Sequence, residues 1–352
     1  MLKYAQFQRE ELAHSSINLE ISAMSDNEQV RIAIDLDGGD GGHRVTTKGI
    51  EQAIRLGYVR PQEIIALGNN DAVSFAQRRL KNILACVPCS ETVAMTDEPR
   101  DARRKKESSM AEGLKGVSNG EFQAFVSCGN TGALVLMANR YLGRLSSKSD
   151  KTTPGIAVPL PNLKGPCLLL DAGAMRAAVD AQALSFYALM GTIYAREVWG
   201  VERPIVRLLN QGEESFKGND ALRSANSVIS RIEGINFCGN IEADRIPLDK
   251  VNVVVCSGDS GNLYIKAGEG FRSYQAEKLG WLWQAVSFFN AHHKRADYKE
   301  IGGAIILGLD GIVIKAHGKS SPMAIANAIR RAMLETRAGI VPKIKEGLLA
   351  LP

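Results

Sequence analysis

The sequence predicts an α/β protein, a three-layer α/β/α sandwich built around a mostly parallel sheet. From Val30 onward, short apolar runs alternate with segments of helical length, which is typical of parallel strands joined by crossover helices. The runs are continuously apolar more often than alternately polar and apolar, as a sheet covered on both faces requires. Most are followed by turns rich in Gly, Asn, Asp and Ser, and we expect these turns to share one edge of the sheet.

Each element follows from a local pattern. The predicted strands are residues 30–36, 64–67, 122–127, 167–170, 205–209, 235–238, 251–256, 304–307 and 312–316. Residues 1–29 mix polar and scattered apolar positions ahead of the first strand, so we predict an N-terminal extension followed by one α/β domain over 30–352. Residues 270–298 carry clustered aromatic and basic side chains. They predict a helical excursion that contacts a partner, a membrane surface or a second subunit, or else packs as a core or dimer helix.

Composition and charge narrow the class of protein. The chain has 352 residues, of which 45% are hydrophobic, and a net charge of +5, which is too weakly basic to indicate nucleic acid. No stretch approaches 18 consecutive apolar residues, so no transmembrane helix is predicted. Six cysteines without a secretory signal predict a reduced, cytoplasmic protein without a disulfide framework.

The clearest binding signal is the turn after strand 122–127. It reads Ser127-Cys128-Gly129-Asn130-Thr131-Gly132-Ala133 and is followed by another apolar stretch. Glycines in such a strand-turn-helix unit let backbone N–H groups surround an anion at the helix N-terminus. Related small-residue turns occupy residues 35–40, 171–174, 210–213, 257–262 and 317–321, so a composite anion site is predicted.

Familiar nucleotide, hydrolase and metal motifs are incomplete. The glycines at 38–42 do not have GxGxxG spacing, and Gly318-Lys319-Ser320 lacks the first P-loop glycine because Val313 stands there. No GxSxG elbow presents a serine, and no cluster has useful metal-ligand spacing, so neither a metal nor an organic cofactor is predicted. Backbone donors, amides and cations without a nucleophile suit inorganic phosphate as the group that attacks a thioester.

Several segments resemble the phosphate acyltransferases of bacterial phospholipid synthesis, the PlsX family, between about residues 32 and 330. The most specific are Thr96-Asp97-Glu98-Pro99, Arg103-Arg104-Lys105-Lys106-Glu107-Ser108-Ser109-Met110 and the turn at 127–134; shorter matches lie at 190–195, 208–210, 217–219, 239–242, 261–266, 302–304 and 314–318. The resemblance implies an isopropylmalate-dehydrogenase-like fold. It also implies a cytoplasmic homodimer, with possible peripheral membrane contact, that transfers a fatty acyl group from acyl carrier protein to inorganic phosphate.

The resemblance further implies which residues form the site. The expected catalytic residues are Asn130, Asn219, Lys217 and His317. Substrate and phosphate contacts are expected from Asp40, Lys106, Ser108, Gly129, Thr131, Gly132, Asp171, Arg176, Gly218, Gly261, Asn262 and Lys266. Arg103, Arg104 and Lys105 are expected to dock the acidic carrier protein.

Three loops depart from the pattern of this family. Asp40 is followed by Gly41 where a histidine is common, and Ser257 stands where an aspartate is expected. The segment after Asp171 lacks the usual lysine, for which Arg176 could compensate because its planar guanidinium fits phosphate. These departures leave two alternatives open. One is a turnover-deficient paralogue that binds acyl carrier protein or an anion, and the other is a phosphotransacetylase-like enzyme that uses acyl-CoA.

Overall fold

The computed structural model describes residues 30–147, 152–174, 179–280 and 302–351. One eleven-stranded sheet runs through this part of the chain. Its strands are β1 (Ile32–Asp35), β2 (Ile64–Gly68), β3 (Ala85–Pro88), β4 (Ala124–Ser127), β5 (Gly155–Leu160), β6 (Cys167–Leu170), β7 (Ile205–Leu209), β8 (Asn236–Ile241), β9 (Val253–Val255), β10 (Ala304–Leu307) and β11 (Ile312–Lys315). Their order in the sheet is β3-β2-β1-β4-β11-β10-β5-β6-β9-β7-β8.

Helices connect and cover the strands. They are α1 (Gly42–Arg55), α2 (Asn70–Arg79), α3 (Pro99–Ala102), α4 (Ser109–Ser118), α5 (Thr131–Tyr141), α6 (Ala181–Trp199), α7 (Asp220–Ile229), α8 (Gly258–Leu279), α9 (Pro322–Arg337) and α10 (Ile340–Ala350). Helices α1 and α9 pack against each other, as do α4 and α5, and α6 packs against α7 and α10. The predicted α/β class with a mostly parallel sheet is confirmed.

The sheet consists of two blocks of strands that run in opposite directions. Strands β1, β2, β3, β4 and β11 are mutually parallel, and so are β6, β7, β8 and β9. Between the blocks, β10 is antiparallel to β11 and to β5, and β5 is antiparallel to β6. The links between β5 and β6 and between β10 and β11 span only residues 161–166 and 308–311, which is too short for a parallel crossover.

This reversal corrects one expectation from the sequence. The polar turns do not all share one edge of the sheet, because the turns after β1, β4 and β11 lie at one edge and those after β6, β7 and β9 at the other. Each block has its own apolar core. The core of the first block extends onto the antiparallel strands and includes Phe125 on β4, Ile156 on β5, Ile306 on β10 and Val313 on β11, together with side chains of α4 and α5. The core of the second block includes Leu169 on β6 and Val254 on β9.

The predicted strands 167–170, 205–209 and 304–307 agree with β6, β7 and β10 residue for residue. Two strands were not predicted. β3 lies at the end of the sheet, with mostly exposed side chains and a terminal proline, and β5 contains Pro159. An edge strand needs no continuous apolar run, and proline is a poor signal for an interior strand.

Some expectations fall partly on other stretches of the chain. Residues 270–279 of the predicted excursion continue α8, whereas 281–298 lie outside the described residues. The predicted extension over 1–29 also lies outside them, so the proposed domain division stays a prediction. None of the helices in the described ranges is both long and apolar enough to span a membrane.

Candidate functional site

The turns that follow β1, β4 and β11 come into direct contact at one edge of the sheet. A Cβ atom added to Gly38 would lie 2.6 Å from the backbone nitrogen of Gly129. Added to Gly39, it would lie 3.0 Å from the carbonyl oxygen of Gly318, and Gly39 has a φ of +89° that favours glycine. The N–H group of Asp40 donates to the same Gly318 oxygen at 2.8 Å. The close approach of the three turns therefore depends on glycine.

A buried carboxylate underlies this contact. One oxygen of Asp35 accepts hydrogen bonds from Ser109 Oγ at 2.7 Å and from the N–H groups of Asp37 and Gly38 at 3.0 and 3.2 Å. Its other oxygen accepts from Ser127 Oγ at 2.6 Å. Burial raises the pKa of Asp35 above its ordinary value, and these hydrogen bonds oppose that rise. Asp35 thus ties the β1 turn to the end of β4 and the first residue of α4.

Lys315 ends β11 with its side chain directed into the same interior. It is 8% exposed, and its ammonium nitrogen lies 3.5 Å from the carbonyl oxygen of Cys128 and also donates to the carbonyl oxygen of Ala316. Burial lowers the pKa of Lys315 to about 8, while the carboxylates of Asp35 and Asp40 favour its charged form. A cation that titrates near neutrality therefore lies beneath the turns.

His317 follows Lys315 on the exposed side of this edge. Its Nδ1 accepts a hydrogen bond from the N–H group of Lys319 at 3.1 Å, so in the neutral ring the proton is assigned to Nε2. Partial burial lowers the pKa of His317, and the positive charges of Lys315 and Lys266 lower it further. The neutral imidazole therefore offers Nε2–H as a donor, and Lys266 on α8 lies within electrostatic range.

Asn130 begins α5, but its amide is already bonded. Its Oδ1 accepts from the N–H group of Ala133 at 3.0 Å, and its Nδ2 donates to the carbonyl oxygens of Met95 and Asp97 at 3.0 and 2.9 Å. The amide therefore positions the loop before α3. By contrast, the N–H groups of Thr131 and Gly132 lie in the first helical turn, where no preceding turn can accept from them. They form the anion-binding end of α5.

A second group lies where β6 and β9 end. Asp171 is fully buried, and one carboxylate oxygen accepts from the N–H groups of Ile156, Gly173 and Ala174 at 2.8 to 2.9 Å. A Cβ atom on Gly261 would lie 1.9 Å from the Asp171 carbonyl oxygen, and one on Gly173 would lie 3.4 Å from Cβ of Asn262. The expected residues Asp171, Gly261 and Asn262 are therefore brought together.

The expected residues Lys217, Gly218 and Asn219 form a third group after β7. Asn210 donates from Nδ2 to the Lys217 carbonyl oxygen at 3.0 Å, and Asn219 accepts from the N–H group of Leu222 at 3.0 Å as the N-cap of α7. Within the described ranges, no side-chain hydrogen bond or ion pair joins this group to the turns of β1, β4 and β11. Arg176, which was expected to bind phosphate, lies outside the described residues.

The basic stretch divides into buried and exposed parts. Lys105 forms an ion pair with Asp97 at 2.6 Å and donates to the carbonyl oxygen of Thr92 at 2.8 Å. Ser108 is fully buried and caps α4 through the N–H group of Ala111. The side chains that reach solvent belong to Arg103, Arg104 and Lys106. Lys105 and Ser108 therefore stabilise the loop, while the other three cations present charge.

Sequence reasoning missed Asp35, Ser109 and Lys315 and read Ser127 only as part of a turn. The available signal was a polar residue at the last position of an apolar strand, as in Ile32-Ala33-Ile34-Asp35 and Ile312-Val313-Ile314-Lys315. Such a residue stays in the interior only when other groups satisfy it. Among the residues that the structure describes, no three His, Cys, Asp or Glu side chains are placed to hold a metal ion.

The chain also matches a known protein family. The family model described as "Fatty acid synthesis protein" matches residues 30–341. The phosphate acyltransferase of Thermotoga neapolitana is 39% identical over 331 residues, covering 91% of this chain and 97% of the relative. That of Thermoanaerobacter pseudethanolicus is 38% identical over 330 residues, with 90% and 97% covered.

Solved structures support the fold. The EutD phosphotransacetylase from Staphylococcus aureus matches with a TM-score of 0.56 at 16% identity, covering 88% of this chain and 94% of that one. A phosphotransacetylase from Streptococcus pyogenes gives a TM-score of 0.57 at 16% identity, with 89% and 95% covered. At this identity the likeness concerns the fold alone. The family model and the closer sequence relatives show more: the chain belongs to the fatty acid synthesis protein family, alongside the phosphate acyltransferases that it matches over nearly their whole length.

Proposed function

We propose that this chain transfers a fatty acyl group from acyl carrier protein to inorganic phosphate and releases acyl phosphate. The observation that carries the proposal is the edge where the turns of β1, β4 and β11 meet, which offers N–H donors and buried positive charge. The relatives named phosphate acyltransferase supply the reaction class.

The groups at this edge favour direct attack by phosphate over an acyl-enzyme. Burial raises the pKa of Cys128 to about 12, so its sulfur is a thiol near neutral pH rather than a nucleophilic thiolate. Ser127 Oγ donates to Asp35 and accepts from the N–H group of Gly129, which leaves it buried and fully engaged. Phosphate is then the group that attacks the thioester.

The reaction balances without an acylated side chain. An oxygen of hydrogen phosphate dianion attacks the thioester carbonyl carbon, the new C–O bond forms and the C–S bond breaks. The proton of hydrogen phosphate passes to the departing thiolate, giving acyl phosphate dianion and a free thiol. We assign phosphate to the N–H groups of Thr131 and Gly132 and the developing oxyanion to Nε2–H of His317, because preorganised donors stabilise charge that develops in the transition state.

Docking of the carrier protein is assigned to the exposed basic side chains. Arg103 and Arg104 lie on the surface next to α3, and Lys105 holds their loop through its ion pair with Asp97. Opposite surface charge guides association with an acidic partner. A homodimer, a cytoplasmic location with peripheral membrane contact and the division at residue 30 belong to the same proposal.

The first experiment uses the purified full chain, palmitoyl-acyl carrier protein and phosphate. Release of carrier thiol is followed together with acyl phosphate trapped by hydroxylamine, and palmitoyl-CoA serves as the second donor. Phosphate-dependent appearance of both products from the carrier substrate supports the proposal. A folded protein that binds the carrier without turnover indicates the inactive paralogue, and preference for palmitoyl-CoA indicates the phosphotransacetylase-like alternative.

The docking assignment has its own test. A variant with Arg103→Glu and Arg104→Glu is expected to raise KM for palmitoyl-acyl carrier protein and leave KM for phosphate unchanged. Arg231→Glu, which changes an exposed arginine after α7, is the matched control. Equal effects of the two charge reversals on the carrier KM contradict the assignment.

A further inference from the structure

We propose that Lys315 is a positioning residue for phosphate: its buried ammonium group fixes two peptide planes at the edge and supplies positive charge beneath the bound anion. The inference rests on the proposed function for the identity of that anion. It adds a residue that does not itself contact the reacting atoms.

Strand β11 places Lys315 beside the end of β4. Lys315 lies in register with Ser127 on β4, so its side chain starts level with the turn that leads into α5. The ammonium group lies 3.5 Å from the Cys128 carbonyl oxygen and donates to the Ala316 carbonyl oxygen. Each carbonyl belongs to a planar peptide whose N–H group points the opposite way. Lys315 thereby orients the peptides that precede Gly129 and His317.

The positive charge of the buried Lys315 ammonium group needs a compensating negative charge. Removing an ammonium group from water costs several kcal/mol unless an opposite charge compensates for it. Among the described residues, the contacts of the Lys315 ammonium group are to backbone carbonyls rather than in an ion pair with a carboxylate. The nearby Asp35 carboxylate already accepts four hydrogen bonds. A bound phosphate dianion at the end of α5 would therefore provide the compensating charge.

Several neighbouring groups influence the pKa of Lys315. Burial lowers its pKa to about 8, while the carboxylates of Asp35 under the β1 turn and of Asp40 in that turn raise it. The Cys128 thiol after β4 stays protonated in this range. The positive charges of Lys315 and of Lys266 on α8 also lower the pKa of His317, which lies on the next turn. Phosphate binding favours charged Lys315, so phosphate affinity should fall as the pH rises through the pKa of the free protein.

The test measures phosphate binding without any acyl donor, so it does not depend on turnover. Calorimetry is carried out on the wild type, Lys315→Met, Lys315→Arg and Lys48→Met, where Lys48 is an exposed lysine on α1. We expect Lys315→Met to weaken phosphate binding about tenfold, Lys315→Arg to retain part of the affinity and Lys48→Met to leave it unchanged. In turnover, the KM for phosphate should rise while the KM for acyl carrier protein stays within about twofold.

The pH profile separates a positioning role from a merely structural one. Wild-type affinity for phosphate should fall between about pH 8 and about pH 10, where phosphate itself remains a dianion, and Lys315→Met should lose this dependence. Unchanged affinity in folded Lys315→Met overturns the inference, as does a wild type that binds no phosphate. If Lys315→Met does not fold by circular dichroism, a flat wild-type profile or full affinity in Lys315→Arg overturns it.

Discussion

At the residue scale, His317 shows how a neighbouring backbone group selects a catalytic form. The N–H group of Lys319 occupies Nδ1, and burial with nearby lysines keeps the pKa of the ring below its usual value. The neutral ring is therefore the form present at physiological pH, and its remaining proton is assigned to Nε2.

His317→Ala is expected to lower kcat about a hundredfold, because it removes one donor to the oxyanion. His317→Gln should recover part of this loss, since its side-chain amide also donates. In the wild type, kcat/KM should fall as the pH drops through the lowered pKa of His317, because protonation requires displacement of the Lys319 N–H group from Nδ1. Steady-state rates from about pH 5 to about pH 8 test this. An unchanged acidic limb in His317→Gln would contradict the assignment.

Asn130 illustrates a residue whose sequence role and structural role differ in kind. The resemblance implies that Asn130 is a catalytic residue at the phosphate and carbonyl site, whereas both of its amide hydrogens bond to the loop at residues 95–97. Asn130→Ala should still lose most activity, since it releases that loop and removes the N-cap of α5, at a cost of about 1 kcal/mol in unfolding free energy.

Asn130→Asp separates these two contributions. It keeps the oxygen that caps α5 and removes the two donors to Met95 and Asp97. Rates and urea unfolding are measured for both variants. Near wild-type turnover in Asn130→Asp would show that the contacts to the 95–97 loop do not matter for catalysis.

Asp37 is one of the residues at this edge whose charge opposes folding. Burial, followed by the charge of Asp35, raises its pKa to about 6, and no group of the described residues donates a hydrogen bond to its Oδ1. A raised carboxyl pKa means that the folded state binds the proton more tightly than the unfolded state, so stability is lost as the pH rises from about 4 to about 6.

Asp37→Asn is therefore expected to unfold at a higher urea concentration than the wild type at about pH 7, by on the order of 1 kcal/mol. The difference should shrink below about pH 4, where the wild-type carboxyl is protonated in both states. Urea midpoints across this range provide the measurement. A variant that is less stable at every pH would show that the hydrogen bonds from Asn69 and Thr92 to Asp37 outweigh its desolvation.

At the element scale, tight packing between helix and sheet explains several glycines. In α4, a Cβ atom on Gly113 would lie 2.2 Å from the ring of Phe125, which is fully buried on β4. In α8, a Cβ atom on Gly268 would lie within 4 Å of no heavy atom of the described residues apart from the adjacent backbone of its own helix. Packing therefore requires a glycine at position 113 but not at position 268.

Gly113→Ala should destabilise the fold by about 1 to 3 kcal/mol, because the ring of Phe125 must shift within a packed core. The matched substitution Gly268→Ala should be neutral or stabilising by up to about 1 kcal/mol, since alanine favours helix more than glycine does. Urea unfolding of both variants decides the matter. If Gly113→Ala destabilises the fold no more than Gly268→Ala does, α4 does not approach β4 this closely.

The bounds of some strands could be predicted from the sequence, whereas the direction of the strands in the sheet could not. β6 and β10 are uninterrupted apolar runs and β7 is interrupted only by Arg207, so their bounds followed from the sequence directly. The reversal of strand direction could not be predicted in the same way. It depends on β5, a strand that was hidden by its proline, and on the short link between β10 and β11. The glycine turns were visible locally, whereas the buried bonds of Asp35 and Lys315 depend on pairing between distant strands.

At the scale of the whole molecule, the reactivity of the six cysteines towards one reagent tests whether the fold is intact. Cys89, Cys128, Cys167 and Cys256 are buried, Cys86 is half-buried and Cys238 is exposed on β8. Burial raises the pKa of Cys128 and Cys167 to about 12. Reaction with a disulfide reagent requires an accessible thiolate, so these thiols should be protected while the sheet is intact.

Native protein at about pH 8 is expected to react rapidly at one cysteine with an aromatic disulfide reagent, slowly at a second and at all six after unfolding in guanidinium. Cys238→Ser should abolish the rapid phase, whereas Cys86→Ser should abolish the slow one. Because Cys128 lies in one strand block and Cys167 and Cys256 in the other, their joint protection reports whether both blocks fold together. Mass spectrometry of labelled peptides identifies each site. Early labelling of Cys167 or Cys256 while Cys128 stays protected would show that the second block opens independently of the first.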